Sequence, residues 1–234
     1  MIRPVRFRVG VAAHFIAPAL LMCLIVFSPN SSYAEDNCEP TTRSIAVDLK
    51  INLGQVNYFN NFDRSYLASQ LSRTKSASKV GWVPSGMTSV GLEYSIHLSV
   101  QVQRMSSGLY CSELRAVDTI VGYKSVDVYI ANDYAPGSCQ YNSILDHEHL
   151  HVGVYQDTLV EYAPRIETEL RKAVDRQDSV ITDDSEMAVK ILQARIEKPL
   201  KFLINRIDKI LEKRNAALDT MENYHKEQEH CSSW

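Results

Sequence analysis

Basic charge is in short supply along this chain: 25 Lys and Arg stand against 28 Asp and Glu. Residues 1–34 hold three arginines and no acid, so the remainder carries 22 basic (25 − 3) against 28 acidic residues, a net charge of −6. No basic platform interleaved with aromatics occurs, and the two absences together exclude nucleic acid as a partner. After residue 34 no apolar run approaches the roughly 20 residues needed to span a bilayer. No Cys-x-x-Cys pair is present, which argues against a cysteine zinc site and a free-thiol catalyst.

What is present at the start reads as an export signal. Arg3, Arg6 and Arg8 precede an almost wholly apolar run over 9–27. Pro29 and Asn30 break that run, and Ser32-Tyr33-Ala34 has the small-x-small pattern of a cleavage site. The expectation is a signal peptide over 1–34, cleaved after Ala34, giving a secreted or periplasmic protein with no stable membrane insertion. Apart from Cys23 in that leader, Cys38, Cys111, Cys139 and Cys231 remain. An even count in an exported chain predicts two disulfides, with three possible connectivities. The expected pairs are Cys111–Cys139 and Cys38–Cys231, joining the sheet to the motif helix and the two ends to each other.

Residues 35–142 read as a mainly β subdomain and 143–234 as a helical one, the two forming one catalytic domain. Residues 45–51 predict a first strand, closed by Gly54 and Asn57. Leu67 and Leu71 stand four apart behind Asp63, predicting a short capped helix over 62–73. Residues 75–89, rich in Ser, Gly and Pro, predict a loop. Apolar alternation over Leu92 to Gln103 predicts a half-buried strand, with His97 a packed or hydrogen-bonded core residue rather than a ligand. A turn at 106–108 leads to a return strand over 109–120, and Gly122 leads to another at 126–130. These strands predict an antiparallel meander, with 126–130 a candidate edge for an extended peptide or else an ordinary central strand.

Beyond residue 143 the periodicity is helical. One helix is expected to run to about residue 174, bent at Pro164, followed by a polar break over 175–184. From Ser185 apolar residues recur at threes and fours as far as Leu218, predicting a long amphipathic helix interrupted or kinked near Pro199. The two helices would form an antiparallel hairpin, or the second would offer its stripe to a coiled-coil partner.

The first of these helices carries His147-Glu148-x-x-His151. Residues four apart share a helix face, so both imidazoles can turn to one ion, the arrangement zinc hydrolases use. Glu148 is then placed to take a proton from water activated by that ion. A catalytic zinc needs a third protein ligand. His149 points the wrong way along the helix, and position 157, where a further histidine could complete the set, is Asp. The candidates are Glu161 and the tail segment 219–231, which holds Glu222, His225 and His230.

The layout resembles a bacterial family of secreted zinc-dependent proteases whose domain is otherwise uncharacterised. The matching points are Cys111, the motif His147, Glu148 and His151, then Tyr224 and His230; Gln228 and Cys231 stand where that family has Thr and Gly. The resemblance implies a zincin-like α+β fold, with an antiparallel N-terminal sheet, a short helix, the motif helix and a long C-terminal hairpin. It implies His230 as third Zn2+ ligand, with Glu222 and His225 behind it, and Tyr224 as an oxyanion stabiliser. The expected function is a zinc metallopeptidase acting on a peptide or protein. The alternatives are a non-catalytic envelope binding protein with structural metal or none, and a zinc-dependent cell-wall amidase.

Overall fold

A computed structural model describes residue 38, residues 44–71 and residues 83–234 of the chain. The expected leader and most of the expected loop fall outside the described residues. Sheet elements β1 (Ala46–Asn52), β2 (Gln55–Phe59), β3 (Gly86–Arg104), β4 (Tyr110–Ile130) and β5 (Val180–Thr182) combine with helices α1 (Arg64–Leu71), α2 (Cys139–Asp175), α3 (Ser185–Leu218) and α4 (Met221–Gln228).

Strand β4 is the axis of a mixed sheet. β3 pairs with it antiparallel along its whole length. The other side is shared end to end: β5 at 110–112, antiparallel, then β1 at 116–122 and β2 at 125–129, both parallel. The expected antiparallel meander is therefore corrected. Only β3–β4 is such a hairpin, and β1 and β2 run the same way as β4. The stretch 126–130 is central, flanked by β3 and β2, and offers no free edge to a peptide.

The expected pair of strands over 109–120 and 126–130 is one continuous strand with two irregularities. Between Val126 and Tyr123 β4 has one residue more than β3, and it has another between Ala116 and Leu114. Each extra residue reverses which side chains face inward. Val117, Val121 and Tyr123 are buried at odd positions, then Val126, Val128 and Ile130 at even ones. A broken alternation looks like a break in the strand, though the hydrogen-bonded ladder continues. Gly122 has a separate reason: a Cβ there would run into the backbone of Asn52 on β1.

β2 was not expected; Leu53 and Gly54 only kink the chain before it rejoins β4, with Gly54 at φ 75°. The expected loop yields in part as well, because β3 begins at Gly86. His97 is exposed rather than packed, since it alternates with the inward Ile96 and Leu98. Asp63 caps α1 as expected, its Oδ1 accepting from Tyr66 N at 2.7 Å.

Helices α2 and α3 cover the inner face of the sheet as an antiparallel pair. Leu159, Ile166, Leu170 and Val174 of α2 and Ile196, Leu200, Ile204, Ile207 and Leu211 of α3 share one core with Val117, Val121, Tyr123, Val126 and Val128 of β4. Their spacing by threes and fours gives each helix a single buried stripe. Truncating one of these to Ala costs about 2–5 kcal/mol. Both helices run on through Pro164 and Pro199. The break between them contains β5, and α4 replaces what read as a tail. Among the described residues no helix is long and apolar enough to cross a membrane.

The disulfides are Cys38–Cys111 and Cys139–Cys231, so both expected pairs are corrected. The first ties the N-terminal segment to the start of β4. The second clamps the first residue of α2 to the residues just past α4. Two disulfides fit an oxidising compartment.

Candidate metal centre

The side chains that could hold a metal meet where the start of α2 lies against the end of α3. Ser138 opens α2, its Oγ accepting from Tyr141 N at 3.1 Å. Two turns on, His147, Glu148 and His151 are buried. Because α3 returns antiparallel, its last turn and C-cap bring Asn215 and Asp219 beside them.

His147 Nε2 and His151 Nε2 lie 3.1 Å apart. Asp219 Oδ1 is 3.3 Å from the first and 3.2 Å from the second. A tetrahedral zinc with bonds of about 2.0–2.1 Å sets its donor atoms roughly 3.3 Å apart, and the spacing of this triangle matches that. The three residues could hold a metal ion. Their remaining atoms are held too. His147 Nδ1 meets Glu227 Oε1 at 2.6 Å, and His151 Nδ1 meets Asn215 Oδ1 at 2.7 Å. Tyr224 donates from its hydroxyl to Asp219 Oδ1 at 2.6 Å. Partners of this kind fix ring orientation and the tautomer that leaves Nε2 for metal.

Charge explains the protonation pattern of the group. Burial pulls the His147 imidazolium down, but the Asp219 and Glu227 hydrogen bonds outweigh it and raise its pKa to about 9. His151 is raised in the same way, with burial opposed by Asp219 and Glu148. Asp219 is held well below the usual carboxylate range: burial pushes it up, and the two imidazoles and Tyr224 pull it further down. Burial pushes Glu148 above its ordinary value, partly offset by His151 and by Thr88.

Glu148 is positioned from the sheet. Thr88 Oγ1 on β3 donates to Glu148 Oε2 at 2.7 Å. Gly86 lets the strand come this close, since a Cβ there would stand 2.5 Å from Glu148 Oε1 and 2.6 Å from Ile144 Cγ2. A small cleft, partly open to solvent, is lined by His147, Glu148, Tyr224 and Glu227.

Of the expected site residues, His147, Glu148, His151 and Tyr224 come together. His230, Glu222 and His225 are exposed on or just past α4, outside the ligand group. Glu161 pairs with Arg214 at 2.7 Å instead. The third member of the candidate group is Asp219, at the head of the expected tail segment, and Tyr224 donates to its Oδ1. Asn215, Glu227 and Thr88 carried no sequence signal of their own. Asp219 carried a weak one: an acid at a helix C-terminus opposes the helix dipole and needs a cationic partner nearby. His149 meets Tyr58 on β2, Nε2 to hydroxyl oxygen at 3.0 Å.

No protein-family model, no curated protein and no solved structure matches this chain.

Proposed function

We propose that the protein is an exported zinc metallopeptidase, with His147, His151 and Asp219 as ligands and Glu148 as general base. The observation that carries the reading is the convergence of three ligand atoms, with a buried carboxylate from the same helix beside them. Three protein ligands, rather than four, suit a catalytic zinc, which keeps one position for exchange. Zinc in such a setting supplies Lewis-acid activation of water and of the substrate carbonyl.

The chain's own residues account for the rest. Thr88 holds one oxygen of Glu148, and the carboxylate would accept a proton and pass it to the leaving amine. Glu227 and Asn215 orient the two imidazoles, and Tyr224 orients Asp219. The cleft beside Glu148 opens to solvent, and a substrate would approach from that side. The resemblance to secreted zinc-dependent proteases and a zincin-like arrangement belong to this proposal, as do the cleaved leader and a secreted or periplasmic location, which the two disulfides suit.

The test is the zinc content and peptidase activity of the purified protein beside Glu148→Gln. Retained zinc with activity lost at least 100-fold is expected for removal of a general base. Equal activity in the variant overturns the mechanism. Stoichiometric zinc without cleavage of peptides or cell-wall amides by the parent protein favours the non-catalytic reading.

A further inference from the structure

The cleft beside Glu148 has one wall that the chemistry above does not use. It is lined by Ile144, Gly86 and the indole of Trp234. That ring is held in place: its Nε1–H donates to Gln228 O at 2.7 Å, and it sits edge-on to Tyr134 with centroids 6.1 Å apart. Gln140 on α2 hydrogen-bonds the carbonyl of Ser233 next to it, and the Cys139–Cys231 disulfide anchors the same segment. Trp234 nevertheless remains 45% exposed. With its one donor satisfied inside the fold, the indole offers the cleft only ring surface. A branched aliphatic side chain and a glycine share that lining, and the ionisable groups beside them are the carboxylates of Glu148 and Glu227 and the imidazole of His147. An apolar or aromatic group would gain contact area there, and an acidic one would meet repulsion.

Resting on the peptidase reading, we propose that Trp234 and Ile144 form a specificity subsite for an apolar side chain of the substrate, next to the bond that is cleaved. Trp234 selects and does not take part in the chemistry. The subsite discriminates by contact area, so preference grows from Ala through Leu to Phe and fails for Asp.

The experiment uses the zinc-loaded protein and fluorogenic peptides identical except for Ala, Leu, Phe or Asp at each position flanking the cleaved bond in turn. The expected result is a preference for Phe or Leu over Ala of about 10–200-fold in kcat/KM at one position. That ratio should collapse by tenfold or more in Trp234→Ala and persist in Trp234→Phe, with zinc content equal in all three proteins. A ratio unchanged in Trp234→Ala overturns the proposal, as does loss of zinc from that variant, which would make Trp234 a structural clamp. A second arm separates the subsite from the reaction. The chain has two tryptophans, Trp82 and Trp234. In a Trp82→Phe, Glu148→Gln background, Trp234 fluorescence should respond at lower concentration to the Phe peptide than to the Ala peptide. That response without cleavage by the parent protein keeps the subsite and sinks the peptidase; cleavage without Trp234-dependent selectivity does the reverse.

Discussion

Glu227 Oε1 lies 2.6 Å from Nδ1 of His147, while the other ring nitrogen of that histidine faces Asp219. One imidazole thus joins α4 to the metal-binding triangle. Glu227→Gln should weaken zinc binding about 10–100-fold, the usual cost of losing a carboxylate behind a ligating histidine. A competitive chelator titration measures it. An unchanged affinity would mean that Glu227 only packs.

Asp219 and His230 make opposite predictions. Asp219→Ala removes one of three ligands and should weaken zinc by more than the Glu227 variant does. His230→Ala should bind zinc like the parent protein, because its side chain is exposed and outside the ligand group. The reverse order, by the same titration, would restore His230 as ligand.

The metal-free and zinc-loaded proteins should respond to pH in opposite directions. His147 is raised from 6.5 to about 9 in the fold, so its contribution to metal-free stability is full below pH 6.5 and is lost as pH rises through 9. Asp219, lowered by the fold, contributes above its ordinary value of 3.8 and loses that as pH falls further. Zinc requires the neutral imidazoles, so its binding releases protons and strengthens over the same climb from 6.5 to 9. The Tm gain on adding zinc, measured against chelator-treated protein, should therefore widen across that window. A constant gain would mean that the imidazoles are already neutral.

The disulfides should separate stability from metal binding. They close loops of similar length, with sequence separations of 73 and 92, so each pair of Cys→Ser changes should cost about 2–5 kcal/mol. Helix α4 has no buried residue and carries Tyr224 and Glu227, so it depends on its clamp. Loss of Cys139–Cys231 should also weaken zinc in protein that remains folded, and loss of Cys38–Cys111 should not. Circular dichroism melts beside chelator titrations distinguish the two; equal zinc affinities would show that α4 docks without its disulfide.

The helices were legible because their signal is local. Leu192, Ile196, Leu200, Ile207 and Leu211 lie on one face whatever the rest of the chain does, and Asp63 caps the turn that follows it. The motif was legible for the same reason: helical geometry alone puts His147 and His151 on one side. Strand direction was not local. The peptides of β1 are the same whether they pair parallel or antiparallel, and β4 hid its continuity behind two extra residues that reverse its alternation.

Residue order alone thus determined a helix presenting two imidazoles and a carboxylate, because a 3.6-residue turn fixes those angles within five residues. The third member of the candidate metal group was decided only in three dimensions. Asp219 lies 68 residues from His151 and reaches it because α3 folds back along α2 over a shared core. The disulfide partners were decided likewise: cysteines pair with the thiol the fold sets beside them, and here that fold joined the ends of α2 and α4.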